Sequence, residues 1–395
     1  MNKWIPFFSI MLSMAVPAKA QQILPVNNYL TLRSGLPHLS YEISEKKACT
    51  VAFLGGSITF NPGWRDKISI YLKERFPDTR FHFIVAGIPS LGSLPHAFRL
   101  QRDVLDSGKV DLLFIEAAVN DHANNTDSIT QIRSLEGIVR HARRDNPLMD
   151  IIMMSFSDPD KNASYALGKV PAEVANHELI AEHYQLPSVN LAKEVHDKIK
   201  NKEFDWKKDF KDLHPSPFGQ ELYFASIKEL LGLTLVPNHT DRVREPLPSP
   251  LDSANFDAGS YVDIREAKTD SDWHIDADWV PVDSLATRPG FVHVPVLSAL
   301  KPGAALSLKF NGTAIGITVL SGQDAGIVSY SIDNSPYKEI DLYTPWSKQL
   351  HLPWYILFAG NLKAGAHLLK IKVANIHNPL SKANACRIVY FFKNQ

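Results

Sequence analysis

The sequence predicts two domains of different class, an open α/β domain followed by an all-β domain, and three observations carry that prediction. From Cys49 to about Leu233, short apolar runs alternate with helix-like segments. Near Pro237 the texture changes, and Arg244-Glu245-Pro246-Leu247-Pro248-Ser249-Pro250 has no helical period. Beyond it, short segments of alternating apolar and polar residues are separated by turn residues.

Residues 1–20 read as an export signal. Lys3 precedes an apolar stretch from Trp4 to Pro17, and Ala18-Lys19-Ala20 supplies the small residues a signal peptidase reads, so cleavage is expected before Gln21. The stretch is short for a membrane span and contains proline, and no later segment is long enough to cross a bilayer. An exported protein, periplasmic or extracellular, is therefore expected. Residues 21–47 form an N-terminal segment whose extra strand, if formed, suits either domain.

The α/β domain is expected over 48–236. Its strands are Val51–Leu54, Phe81–Val85, Leu112–Ala117, Ile151–Ser155 and Ser188–Asn190, with helices between them that include Ile129–Arg144 and Pro171–Tyr184. Such alternation predicts a parallel sheet covered by helices on both faces, with the ligand crevice at the carboxyl ends of the strands. After a proline-rich connector at 237–258, the segments Ala305–Phe310, Ala314–Leu320, Ile327–Ile332, His367–Val373 and Arg387–Phe392 read as strands of a β-sandwich over 259–395. Asn311-Gly312 and Asp333-Asn334 mark turns between them.

Acids and bases balance at 42 each, so neither nucleic acid nor an anionic membrane is expected as a partner. Cys49 and Cys386 are the only cysteines, which excludes a disulfide scaffold; one bridge is permitted, but buried free thiols are favoured. There is no clustered His/Cys spacing of the structural zinc kind, and no metal or cofactor is expected.

Four segments carry chemistry. The apolar run Val51-Ala52-Phe53-Leu54 breaks into Gly55-Gly56-Ser57-Ile58-Thr59, which puts a serine in a glycine-flanked turn at a strand end. Lys211-Asp212-Leu213-His214-Pro215-Ser216 places a histidine beside an acid, just before an amphipathic helix from Phe218 to Leu231. A serine hydroxyl is a poor nucleophile until a base takes its proton, and histidine titrates where it can do so. Between them lie Val85-Ala86-Gly87-Ile88-Pro89-Ser90-Leu91-Gly92-Ser93 and Phe114-Ile115-Glu116-Ala117-Ala118-Val119-Asn120-Asp121.

These blocks, in this order over about residues 48 to 231, resemble the SGNH (GDSL-like) serine hydrolases, in the branch that carries Gly-Gly-Ser-Ile-Thr at its nucleophile. The resemblance implies a flavodoxin-like three-layer α/β/α domain with Ser57 as nucleophile and His214 as general base. It further implies an oxyanion hole formed by the backbone N–H of Ser57, the N–H of Gly92 and the side chain of Asn120. Two departures stand out. The second block lacks its usual opening asparagine and glycine pair, so Ser90 or Gly87 could supply the N–H in place of Gly92. Lys211 stands where the family commonly has an aspartate, three residues before the histidine; Asp212 is the favoured orienting acid, with Asp209 or a backbone carbonyl as alternatives.

Other residues have more ordinary readings. His177, Glu178 and His183 recur at helical spacing and fit a solvated helix face better than a metal site. Glu116 and Asp121 either steer substrate or are structural, and Trp64 either walls an acyl pocket or packs. Tyr343, Trp346 and Trp354 could stack on sugar rings, although tryptophan in a sandwich is more often core. The distal segment from Gly322 through Ser347 resembles the β-domain of several carbohydrate esterases. The expectation is a serine esterase that removes acetyl or similarly short acyl groups from a polysaccharide or oligosaccharide. The rivals are a lipase or lysophospholipase and a catalytically decayed glycan-binding protein.

Overall fold

The structure is a computed structural model that describes residues 28–236 and 246–395. The export signal read in residues 1–20 and the first part of the connector lie outside the described residues.

The first domain is built on a six-stranded sheet. Its strands are β1 (Leu30–Thr31), β2 (Ala48–Gly55), β3 (Arg80–Gly87), β4 (Leu112–Glu116), β5 (Asp150–Met154) and β6 (Ser188–Val189). They lie in the order β1-β6-β5-β4-β2-β3. β2 to β6 pair in parallel, in the arrangement of flavodoxin-like sheets, with the switch in strand order beside β2. The all-parallel expectation is corrected at one edge: Leu30 and Thr31 pair antiparallel with Val189 and Ser188, so the sheet is mixed. This places the described part of the N-terminal segment in the first domain. A two-residue edge strand carries too little alternation to be read from sequence.

Alternate strand residues point to opposite faces, and both faces are covered. One face buries Ala52, Leu54, Leu113, Ile115, Ile151 and Met153 under the helices Ser93–Asp103, Ser128–Asp145 and Ala172–His183. The other buries Val51, Phe53, Leu112, Phe114, Ile152 and Met154 under Trp64–Arg75, Leu191–Lys200 and Pro217–Thr234. Trp64 belongs to this second layer, fully buried with its ring against Phe53, Phe114 and Phe156, so its role is packing.

The second domain has a seven-stranded and a five-stranded sheet that share a core including Leu297, Leu308, Ile317, Ile356, Leu369 and Phe391, a layout consistent with a β-sandwich. Asp333 and Asn334 both take positive φ, 52° and 60°, and the Ser335 N–H donates to the Ile332 carbonyl, which closes the tight hairpin turn expected there. Tyr343 and Trp354 pack against this core, and Trp346 lies 6.0 Å from Trp354. The strand Leu350–Ala359 is absent from the sequence reading because Pro353 interrupts its apolar run. Proline is tolerated there because the neighbour on its open side, Ala286–Thr287, pairs only with Leu350 and His351. Cys49 and Cys386 are both free and buried, and burial pushes each thiol up to about 12.

The domains are packed together through the helix Ser93–Asp103. Phe98 is buried between Phe256 and Phe392, at ring separations of 5.2 and 4.5 Å. A Cβ on Gly259 would press on the Ala97 carbonyl, so the chain entering the β-domain runs hard against this helix. Arg102 lies over the rings of Tyr261 and Tyr390, and Arg133 pairs with Asp252 at 2.7 Å. Truncation of Phe98 to alanine should leave a cavity costing about 3–5 kcal/mol. A urea midpoint for Phe98→Ala equal to that of the parent would contradict a shared core.

Candidate active site

Ser57 sits where β2 ends. Gly55 and Gly56 carry the chain out of the sheet, and Ser57 opens the short helix Ser57–Phe60, whose first amides have no intrahelical acceptor. The glycines are needed for space. A Cβ on Gly55 would run into Glu116 and Thr59, and one on Gly56 would run into Asn120 Oδ1.

His214 arrives from the opposite side of the crevice, on the loop before Pro217–Thr234. Its Nε2 lies 2.8 Å from Ser57 Oγ, a hydrogen bond between residues 157 apart in sequence. Lys211 takes φ 88°, an uncommon conformation for a residue with a side chain, and turns the chain sharply just before Asp212. Asp212 Oδ1 accepts the His214 backbone N–H at 2.6 Å and lies 3.7 Å from Nδ1, close enough for an ion pair but longer than a hydrogen bond. Asp209 is occupied elsewhere: its carboxylate accepts the Asp205 N–H at 2.7 Å. Partial burial holds the His214 imidazole below its ordinary value; Asp212 opposes that shift, and Lys211 and Arg288 reinforce it.

The end of β4 anchors the remaining pieces. Glu116, 1% exposed, accepts the Gly56 N–H at 2.6 Å and the Thr59 hydroxyl at 2.9 Å, so it fastens the turn that carries Ser57 from below and is too deep to steer substrate. Asp121, fully buried, accepts the Ser93 N–H at 2.7 Å and the Ser93 hydroxyl at 2.9 Å, and so fastens the second block. Burial pushes Glu116 up to about 6 and Asp121 up to about 7, while the hydrogen bonds each accepts pull the other way. Asn120 lies between these two anchors. Gly92, the cap of the helix Ser93–Asp103, is packed so closely on Asn120 and Asp121 that a Cβ would clash with the Asp121 carboxylate. Ser57, Gly92, Asn120 and His214 therefore converge. Of the other second-block candidates, Gly87 lies beneath the turn against the Phe60 backbone, and the Ser90 carbonyl accepts from Asn124.

Several polar residues beside this site were not singled out by sequence. Arg99 reaches under the turn to the Gly55 and Ala86 carbonyls, and Asp158 pairs with Lys161 at 2.5 Å, both nearly fully buried. A charged residue inside a helix that otherwise buries its neighbours was the available signal for Arg99. Arg288 of the β-domain donates to Ser90 Oγ from Nη2 at 2.8 Å and from Nε at 3.2 Å; nothing local marks a contact spanning 198 residues.

The solvated-face reading of His177, Glu178 and His183 is corrected at His177, whereas Glu178 and His183 stay partly exposed. His177 is buried with Nδ1 on the Glu173 carbonyl, and burial lowers its pKa to about 4, whereas Glu178 pairs with Arg33 and His183 meets the Ser249 carbonyl. Among the described residues no group of three or more His, Cys, Asp or Glu is gathered as a metal site, and no helix is long and apolar enough to cross a membrane. A cavity of about 520 Å³ lies at the opposite end of the sheet, lined by residues including Pro37, Asp150, Tyr184 and Pro246, away from Ser57 and His214.

Asp212→Asn keeps an oxygen for the His214 amide but removes the charge that raises the imidazole pKa. The acid limb of kcat/KM should therefore move to lower pH and kcat should fall; an unmoved limb would show that Asp212 does not act on the ring. Asp121 gives a different signature. Its folded pKa is raised from 3.8 to about 7, so the stability it contributes is complete below about pH 4 and lost as pH climbs through 7. The urea midpoint of the parent should fall relative to Asp121→Asn over that range, and parallel curves would refute the assignment.

Residues 53–222 match the GDSL-like Lipase/Acylhydrolase family. Two crystal structures of a two-domain esterase (CEX) active on acetylated mannans, one co-crystallized with mannopentaose, share the fold of the whole chain. Their TM-scores are 0.76 and 0.74, each at 19% identity, covering 93% of this chain and 97% and 98% of theirs. No curated protein matches the sequence significantly. Over residues 53–222 the chain is thus similar to the GDSL-like hydrolases, and those residues are followed by a C-terminal β-domain, as in the two-domain fold it shares.

Proposed function

We propose that this protein is an exported serine esterase that removes acetyl or similarly short acyl groups from a polysaccharide or oligosaccharide, and that it belongs to the Gly-Gly-Ser-Ile-Thr branch of its family. The 2.8 Å contact between Ser57 Oγ and His214 Nε2, beyond the carboxyl end of the parallel strand β2, carries the reading. The substrate class draws support from the two-domain esterase that shares the fold and is active on acetylated mannans. The export assignment rests on Lys3, the apolar run from Trp4 and Ala18-Lys19-Ala20.

In this mechanism Ser57 Oγ attacks the ester carbonyl as His214 Nε2 takes its proton. The carbonyl oxygen becomes negative and is met by the N–H groups of Ser57 and Gly92 and by the Asn120 side chain. Collapse expels the sugar alkoxide, which takes the proton from His214 and leaves an acyl-enzyme. Water, activated by the same imidazole, attacks that ester; acetate departs and Ser57 regains its proton. Asp212 steadies the imidazolium in both halves.

Ser57→Ala should remove nearly all esterase activity without unfolding the protein, and Asn120→Ala should lower kcat on the order of a hundredfold. A Ser57→Ala enzyme with normal turnover would end the mechanism, and a change in KM alone would reassign Asn120 to substrate binding.

Acyl length tests the substrate class. A methylene that finds no apolar surface forgoes the roughly 0.8 kcal/mol its burial would contribute. kcat/KM should therefore fall steadily from p-nitrophenyl acetate through butyrate to octanoate, with acetate released from acetylated glycan. A preference for octanoate would favour a lipase instead.

A further inference from the structure

We propose that Arg288 of the β-domain is a positioning residue for the hydrolase site, holding the oxyanion loop in its working shape by clamping the hydroxyl of Ser90. The inference rests on the serine-esterase reading above and extends it by giving the second domain a part in turnover.

Ser90 lies two residues before Gly92, whose N–H is assigned to the oxyanion hole. Ser90 takes φ 73°, a left-handed conformation that residues with side chains rarely adopt unless their surroundings enforce it. The enforcing contacts are visible. Asn124 Nδ2 donates to the Ser90 carbonyl at 3.0 Å, and Arg288 donates to the hydroxyl from two nitrogens, at 2.8 Å from Nη2 and 3.2 Å from Nε. One hold comes from the hydrolase domain and the other from the β-domain. On the far side of the loop Asp121 fixes Ser93, so Leu91 and Gly92 are suspended between Ser90 and Ser93, each tied by its own side chain. A crevice beside this segment is closed by Leu94 and Pro95 on one side and by Pro353, Trp354 and Tyr355 of the β-domain on the other. The loop that carries an oxyanion donor is thus shaped by both domains.

Arg288 has a second, separable effect. Its charge acts on His214 and, with Lys211 and partial burial, depresses the imidazole pKa against the pull of Asp212. Loss of the guanidinium therefore removes a hydrogen-bonded clamp and a charge together, whereas loss of the Ser90 hydroxyl removes the clamp alone.

The experiment compares Arg288→Gln, Arg288→Lys and Ser90→Ala with the full-length parent on p-nitrophenyl acetate, measuring kcat, KM and the pH profile of kcat/KM, with a thermal melt for each. A loop displaced by about an ångström costs up to about a hundredfold, so kcat should fall roughly ten- to a hundredfold in Arg288→Gln and Ser90→Ala with KM little changed. The acid limb should move to higher pH in Arg288→Gln, because the charge that depresses His214 is gone, and should stay in place in Ser90→Ala and Arg288→Lys. Arg288→Lys, which retains the charge without the two-nitrogen grip, should recover the limb but only part of kcat. Unchanged kcat in folded Arg288→Gln and Ser90→Ala would overturn the proposal, as would a rise in KM at constant kcat, which would make Arg288 a substrate contact. A parent that hydrolyses no ester, or whose activity survives Ser57→Ala, would instead defeat the esterase reading on which this one stands.

Discussion

The site depends on two carboxylates buried at the end of one strand. Glu116 closes β4 and Asp121 follows it by five residues, and each turns one carboxylate oxygen to a different neighbouring loop, Glu116 Oε1 to Gly56 and Thr59, Asp121 Oδ1 to Ser93. Burial of a carboxylate is costly unless hydrogen bonds compensate, and both groups resist ionisation here, lifted to about 6 and 7. What that cost secures is registry. A parallel sheet brings strand ends to one edge but leaves the loops beyond them free to splay, and side-chain acceptors rooted in the central strand tie those loops together.

The second domain belongs to the same construction. The buried cluster on one face of the sheet continues without interruption from Leu54, Leu113 and Met153 through Phe98 to Phe256, Phe392 and Tyr355. The helix Ser93–Asp103 is central to both roles, since its first residue is held by Asp121 and its middle buries Phe98 between the rings of Phe256 in the connector and Phe392 in the β-domain. A displacement of the β-domain would be felt at the mouth of the crevice through this rigid element.

Much of this was legible in the sequence, for identifiable reasons. Strands buried on both faces, such as Leu112–Glu116, appear as unbroken apolar runs, and Gly55-Gly56-Ser57 announces a backbone that needs room. Less legible were features whose cause lies far along the chain. Leu30–Thr31 is a strand only because Ser188–Val189 offers an open edge, and Pro353 sits in a strand because one side of it lies largely unpaired. His177 looked solvated because its helix carries polar residues all round, yet Nδ1 turns inward to its own helix carbonyl. Arg288 has no sequence signature at all; its meaning arises when two domains meet at Ser90.

The last described strand, Cys386–Asn394, has a consequence for how the molecule comes into being. It lies inside the seven-stranded sheet, paired with Ala314–Ser321 on one side and with Val294–Ala299 and Gly259–Val262 on the other, and it carries Phe392 to Phe98. Synthesis from the amino end can complete the hydrolase sheet early. The β-domain sheet and the cover over Phe98 must wait for residues near 392, and throughout that interval an apolar helix face and open strand edges are exposed to self-association. The vulnerable period of this protein is set by the arrival of the strand Cys386–Asn394, and conditions that delay that strand should cost yield of soluble protein even where the folded molecule is stable.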